Sequence, residues 1–452
     1  MKEQIIKRVE RLKEFHASGA TKPISFRIEQ LKMFRQTIIE LQDEIEEALW
    51  KDLHKSPEEA YLTEISIVLQ EINEHIKHLR KWAKPKRICS PLALFPSASY
   101  IYTEPLGVAL IIAPWNYPIQ LILNPLVGAI SAGCCAMLKP SPAATHTANI
   151  VEKIIRKTFA PEYVDLVQGR RDVNTLLLEQ KYDFIFFTGS PDLGKIVYQA
   201  AAKNLTPVIL ELGGKSPCIV DKDANIEIAA RRIAWGKWLN AGQTCIAPDY
   251  LFVHNSVKMK LLEAVKKETE LMYGSDLSKS RFFPRIISSS AYTRLVGLMT
   301  DEKVYYGGQT NQEELYISPT ILDNITPESP IMQEEIFGPL LPVMTFDDIA
   351  DVLSYVNTKE KPLALYYFGK KGNDMLASTT SGGACINDTI LHIANHRLPF
   401  GGVGNSGLNK YHGKESFILF SNRRGVVKTP AWLDLPLKYP PYKFFKLIKK
   451  IL

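Results

Sequence analysis

DFIFFTGSPDLGKIVYQAAAKNLTPVILELGG, residues 183–214, decides the fold. It reads as a strand (DFIFFTGS), a helix (LGKIVYQAAAK) and a second strand (PVILELGG). A strand that returns through a helix to another strand builds a parallel sheet. The segments before it have the same rhythm. GVALIIAPWNYP (107–118) carries the apolar run Val108–Ala113, suited to a strand covered on both faces. AML (136–138) runs into KPSP, followed by the helix-like TANIVEKIIRKTF (147–159) and by YVDLVQG (163–169). Such sheets bind ligands beyond the carboxyl ends of their strands, where PWN, KPS, TGS and ELGG all fall.

Outward from this stretch, 452 residues exceed what one core supports, so two or more domains are expected. The hydrophobic share of 46% and charged share of 23% are those of a folded globular protein. A net charge of +7, from 55 basic against 48 acidic residues, is too modest to imply a nucleic-acid surface. The start, MKEQIIKRVERLKEF, has no apolar core or cleavage site of a secretory signal, which points to the cytoplasm or its membrane face. The six cysteines form no C-x-x-C pair and have no histidines at zinc-ligand spacing, so no metal site is expected.

Residues 26–50 read as one amphipathic helix, with Leu31, Phe34, Ile38, Leu41, Ile45 and Leu49 on one face. SPEE (56–59) opens another, with Ser56 as N-cap, Pro57 at the first position and Glu59 closing a capping box; its apolar face is Leu62, Ile65, Leu69, Ile72 and Ile76. Residues 84–107 read as a loop leading into an extended strand, an arm leaving the first domain. QLILNPLVGAISAGCCAML (120–138) is nearly unbroken in its apolarity, but Asn124-Pro125 and its small residues suit a helix packed inside protein rather than a membrane span.

Five groups carry chemistry. Gly189, Ser190 and Gly194 stand where a strand meets a helix, with Pro191 at the first helical position; free N–H groups there attract phosphate, although a plain Gly-Ser cap reads the same way. Lys139, just past a strand, suits a ribose or a phosphate, with a solvated surface lysine as the alternative. Glu211 ends an apolar strand beside two glycines; desolvation there raises a carboxyl pKa toward that of a general base, with a salt-bridged structural glutamate as the alternative. Cys245 ends NAGQTC (240–245) after IAARRIAWGKWLN. Beside a positively charged nicotinamide its thiolate would be favoured, making it a nucleophile. Asn116 in PWNYP offers an amide N–H to developing negative charge. The aromatic residues Tyr61, Trp115, Tyr117, Trp235 and Trp238 either line an apolar tunnel or belong to the core.

Together PWNYP, FTGS, ELGGKSP, GQTC, QEEIFGP (333–339) and PFGGVGNSG (399–407) resemble the aldehyde dehydrogenase family, in its order, from about residue 30 to residue 430. With YHGKESFILFSNRR (411–424), the chain looks like the class 3 branch, which includes fatty and aromatic aldehyde dehydrogenases. The resemblance implies an α/β fold: a Rossmann-type dinucleotide-binding domain (1–82 and 107–212), a catalytic domain (213–391) and a β-arm for oligomerisation (83–106 and 392–430). It implies Cys245 as nucleophile, Glu211 as base, and Asn116 with the backbone N–H of Cys245 as oxyanion donors. It assigns cofactor contacts to Trp115, Lys139, Gly189, Ser190, Gly194, Glu335 and Phe337. The expected reaction is oxidation of medium-chain, long-chain or aromatic aldehydes to carboxylic acids through a thioester on Cys245, by a homodimer. Many NAD-preferring members carry a glutamate where this chain has Pro142, so NADP is expected to be tolerated beside NAD. Pro191 stands where a threonine is common, which keeps the turn and removes one hydroxyl.

The basic amphipathic tail PLKYPPYKFFKLIKKIL (436–452), within a segment 431–452 outside the shared core, suits peripheral contact with an anionic membrane, with a docked or frayed tail as the alternative. A thiol esterase built on Cys245 and Glu211, and a binding protein that has kept the fold and lost catalysis, are the rival functions.

Overall fold

The computed structural model describes the whole chain except Leu435, Lys443, Phe444, Leu447, Ile448 and residues 450–452. The membrane-contact reading of the tail rests largely on these and lies outside the described residues.

A six-stranded sheet forms around the quoted stretch. Its strands are β1 (Val108–Ile112), β2 (Cys135–Lys139), β3 (Val164–Leu166), β4 (Phe184–Gly189), β5 (Val208–Leu212) and β6 (Gly407–Leu408), in the spatial order β6-β5-β4-β1-β2-β3. β1 to β5 are parallel, and β6 closes the edge antiparallel to β5. All five residues of β1, β2 and β5 are buried, which is why their sequences run apolar instead of alternating. The helix Gln120–Ala132 is buried along its whole length and stops at Gly133, whose φ of 93° ends it in the left-handed conformation. At 13 residues it is far short of a bilayer. No helix among the described residues is long and apolar enough to cross a membrane.

A second sheet has the order Lys303–Tyr306, Thr320–Asp323, Leu340–Phe346, Tyr250–His254, Pro217–Val220, Ala364–Phe368, Gly383–Ile386, parallel except at its first strand. Lys86–Ile88, Ala98–Pro105 and Ser421–Lys428 make a separate antiparallel sheet of three strands. Residues 392–420, expected in that arm, do not join this sheet. β6 pairs with β5, and the helix Gly413–Leu419 packs against the buried helix Gln120–Ala132.

The N-terminal helices depart from the expectation. Residues 26–50 form two helices, Ile24–Glu40 and Gln42–Leu53, broken at Leu41, where ψ is 13°. Ser56 does cap its helix, accepting from the Glu59 N–H at 3.1 Å, but Glu59 closes no capping box. Its carboxylate turns inward and accepts the N–H of Asn240 at 2.9 Å. A π-helical turn, Tyr61–Ile65, then adds residues to the helix and rotates its face. Leu62 is therefore exposed, and Ile65, Val68, Ile72 and Leu79 make the buried stripe.

Candidate active site

Three strand ends and one loop converge. The turn after β1 delivers Trp115 and Asn116, the end of β4 delivers Gly189 and Ser190, and β5 carries Glu211 next to its last residue. With Cys245, Glu335 and Phe337 these residues line a single cleft of about 260 Å³. Apolar walls come from Pro114, Leu121, Leu212 and Leu363. Of the ten residues expected at the site, only Lys139 and Gly194 are not in this lining.

The nucleophile loop is held against strain. Asn240, Ala241 and Gly242 all have positive φ, at 53°, 52° and 71°. Two successive non-glycine residues there are costly, by about 1 kcal/mol or more each, and persist only where the surroundings over-determine them. Here they do. The Asn240 side chain donates to the carbonyls of Asn116 (2.8 Å) and Gln243 (3.1 Å). Gln243 donates to the Arg285 carbonyl at 3.0 Å and accepts from the Ile287 N–H at 3.0 Å. Thr244 and Tyr117 share a hydroxyl hydrogen bond of 2.7 Å. A Cβ on Gly242 would sit 2.2 Å from the Gly338 carbonyl oxygen, so GQTC docks directly on EEIFGP. Likewise a Cβ on Gly213 would sit 1.9 Å from a Glu335 carboxylate oxygen, which is why ELGG needs glycine there.

Burial sets the charges. Glu211 is 3% exposed and its Oε1 has no hydrogen-bond partner. Desolvation raises its pKa to about 8, against the opposing pull of the Tyr411 hydroxyl and the Lys410 ammonium. Glu335 is raised to about 8 in the same way, with Asp249 adding to the effect. The Cys245 thiol is pushed well up by desolvation and then by the Glu211 and Glu335 carboxylates, only partly offset by the backbone at Cys245 and Ile246. Without bound cofactor, burial and the two carboxylates favour the protonated thiol; the thiolate expected beside a positively charged nicotinamide belongs to the cofactor-bound site. Alkylation of Cys245 by iodoacetamide is accordingly expected to be slow at pH 7. NAD(P)+ should accelerate it, and so should Glu335→Gln, by roughly tenfold for each nearby negative charge offset. A free-enzyme thiol that titrates below pH 7 would contradict this electrostatic account.

Asn116 is 2% exposed. Its Nδ2 donates to the Gln243 carbonyl at 3.1 Å, which aims the amide toward the cysteine loop. Behind it lies a fully buried ion pair, Lys55 to Glu64 at 2.6 Å. Glu64 also accepts the N–H groups of Ile119 (2.8 Å) and Gln120 (3.3 Å), and Lys55 reaches the Asn116 carbonyl at 3.4 Å. Asn116→Ala is expected to lower turnover by roughly a hundredfold, the usual loss for one oxyanion donor, with dinucleotide affinity unchanged in a fluorescence titration.

The cofactor residues divide between contact and packing. Trp115 and Phe337 meet edge to face, 5.4 Å between centroids, at the cleft wall. Ser190 caps the helix Pro191–Ala202, accepting from Leu193 N–H at 3.5 Å. Gly194 packs against β5, since a Cβ there would lie 2.6 Å from Leu212. Lys139 is 1% exposed, not a solvated lysine, and its ammonium has one partner, the Pro140 carbonyl at 2.8 Å. A buried ammonium with donors to spare, at the sheet's carboxyl edge beside a capped helix N-terminus, fits a dinucleotide. Trp238 belongs to the core, its indole N–H bonded to Thr269 at 2.8 Å.

Sequence reasoning missed Tyr411. It is fully buried, its hydroxyl has no hydrogen-bond partner, and it acts on Glu211. A β-bridge to Phe400 holds it, and Gly407 of the same glycine-rich segment is in register with Glu211. The quoted YHGK was the only signal. Among the described residues no group of three or more histidine, cysteine or acidic side chains could hold a metal ion.

Comparison with known proteins identifies the family of the chain. The model of the aldehyde dehydrogenase family matches residues 1–426. The 4,4'-diaponeurosporen-aldehyde dehydrogenase of Staphylococcus aureus is 45% identical over 443 residues, 97% of this chain and 96% of the relative. The dimeric NADP-preferring aldehyde dehydrogenase of Canis lupus familiaris is 44% identical over 438 residues, 96% of this chain and 97% of the relative. The solved substrate-bound structure of Staphylococcus aureus AldH superposes with a TM-score of 0.97 at 44% identity, covering 99% of both chains.

Proposed function

Because this chain belongs to the aldehyde dehydrogenase family, in its class 3 branch, and oxidises aldehydes with NAD(P), we propose that Cys245, Glu211 and Asn116 carry that reaction on medium-chain, long-chain or aromatic aldehydes. The observation that supports this most is the meeting of the three side chains in one cleft, with a Glu211 oxygen left free of partners.

Cys245 gives up its thiol proton to solvent, and its Sγ attacks the aldehyde carbonyl carbon. Asn116 Nδ2 and the backbone N–H of Cys245 receive the oxyanion. When bound, NAD(P)+ would supply the acceptor for the hydride that leaves the thiohemiacetal carbon, and a thioester remains on Cys245. Glu211 then takes a proton from water, which attacks the thioester carbonyl and releases the carboxylate and the thiol. Trp115, Phe337 and Glu335 orient the ring end of the cofactor, while Ser190, Gly189, Gly194 and Lys139 hold its phosphate and adenosine side.

An apolar aldehyde is favoured by the wall of Pro114, Trp115, Leu121, Phe337 and Leu363. The Staphylococcus aureus relative is named for oxidation of 4,4'-diaponeurosporen-aldehyde. A panel of short, long-chain and aromatic aldehydes with NAD and NADP tests this reading. Ester hydrolysis without aldehyde-dependent cofactor reduction would return the thiol esterase. Residues 1–82 and 107–212 serve as the dinucleotide-binding part and 213–391 as the catalytic part. The three-stranded sheet serves as the contact between two copies, supported by exposed Leu92, Phe95 and Val427 and by the dimeric relative. Light scattering at half and twice the working concentration reads the dimer.

A further inference from the structure

The cysteine loop is fastened at its first strained residue by a side chain from the N-terminal helices. Asn240 stands at φ 53°, and its N–H donates to the Glu59 carboxylate at 2.9 Å. The Asn240 carbonyl in turn accepts the Gln243 N–H at 3.0 Å, and Thr244 follows with its hydroxyl on Tyr117. Fixing the Asn240 peptide plane therefore fixes the direction in which the chain enters Cys245. Glu59 is itself anchored at both ends of its backbone. The Ser56 hydroxyl accepts its N–H at 3.1 Å, and the Thr63 hydroxyl donates to its carbonyl at 2.7 Å. The π-helical turn Tyr61–Ile65 that follows carries Glu64, which pairs with Lys55.

A neutral side chain of the same size would disturb this interior less. Glu59 is 9% exposed, and the Lys55 ammonium near it is already matched by Glu64 at 2.6 Å. The groups facing Glu59 are that ammonium, the Glu64 carboxylate and the phenols of Tyr117 and Tyr273, so an ionised Glu59 adds an unmatched negative charge. Burial raises its pKa to about 7, with Glu64 adding to the effect, against the pull of Lys55 and of the Asn240 N–H. The folded value lies above the ordinary 4.5, so ionisation is penalised only in the folded chain, and stability falls as pH rises through the window between the two. The fold keeps a destabilising carboxylate where its one listed side-chain bond goes to the cysteine loop.

We propose that Glu59 is a positioning residue for the nucleophile: by accepting the Asn240 N–H, its carboxylate holds the left-handed stretch 240–242 in the conformation that presents Cys245 Sγ and N–H to the aldehyde, at some cost in stability. The inference rests on the reading of Cys245 as nucleophile and gives a residue outside the cleft lining a part in the chemistry.

Two variants of the full chain test it. Glu59→Gln keeps an oxygen for the Asn240 N–H and removes the charge, whereas Glu59→Leu keeps the bulk and removes the acceptor. The readouts are the stopped-flow burst of reduced cofactor with hexanal and NAD+ or NADP+, normalised to the dinucleotide sites titrated, and the melting temperature. Normalisation keeps a loss of folded protein from counting as a loss of rate. Glu59→Leu should slow the burst by on the order of tenfold to a hundredfold while dinucleotide affinity changes by less than about threefold. Glu59→Gln should keep the burst within about threefold and melt a few degrees higher than the unmodified chain, with a larger gain at pH 8 than at pH 5. An unslowed burst in Glu59→Leu, or a burst lost equally in both variants, overturns the positioning role. So does a loss of dinucleotide affinity as large as the loss of rate. A lower melting temperature for Glu59→Gln at pH 8 would make Glu59 a structural stabiliser and overturn the proposal as well. A burst that survives in Cys245→Ala would instead defeat the nucleophile reading beneath it.

Discussion

Cys245→Ala is expected to bring aldehyde-dependent NAD(P) reduction to the floor of the assay, a loss of roughly 10⁴-fold or more, because Cys245 is the one thiol among the residues lining the cleft. The remaining cysteines are poor substitutes. Cys134, Cys135 and Cys218 are buried away from the cleft, and Cys89 is exposed elsewhere. Cys385 lies against His392, 3.4 Å from its Nδ1, outside the cleft lining. Cys245→Ala should still bind dinucleotide, since the ribose and phosphate residues belong to other elements. Mass spectrometry of the unmodified protein, quenched during turnover, should place one acyl group on Cys245. Full turnover by Cys245→Ala, or an acyl adduct on another side chain, would refute the nucleophile assignment.

Glu211→Gln is expected to separate the two halves of the reaction. Removing the base should slow thioester hydrolysis by roughly 10²- to 10⁴-fold, while the first oxidation on the enzyme continues. A stopped-flow burst of about one reduced cofactor per site should be followed by near arrest, with the acyl-enzyme persisting. The unmodified enzyme carries a pH signature as well. Burial lifts the Glu211 pKa to about 8, so its basic form is scarce below that pH and predominates above it. Deacylation should rise as pH increases through this region and level off above it. Glu211→Gln should abolish the rise. A variant that keeps both steady turnover and the pH limb would remove Glu211 from its role.

The N-terminal helices show where local pattern loses to packing. Spacing alone joins residues 26–50 into one helix, because the apolar period continues across Leu41, and the break costs little in a chain that packs both halves. The Ser56 cap was legible because it is a bond between neighbours. The fate of Glu59 was not, because its partner, Asn240, is 181 residues away. Tyr411 was invisible for the same reason: the carboxylate it acts on, Glu211, lies far away in sequence on β5, and nothing local distinguishes it from a core aromatic.

The sequence by itself determined the alternating strands and helices, the glycines at close approaches, and the residue types of the reacting set, because these depend on periodicity, turn chemistry and short motifs. The state of those groups was decided by tertiary structure alone. Whether Glu211 is a base, whether Cys245 rests as a thiol and whether Lys139 is buried depend on how much water the folded cleft excludes and on which charges from distant segments face each group.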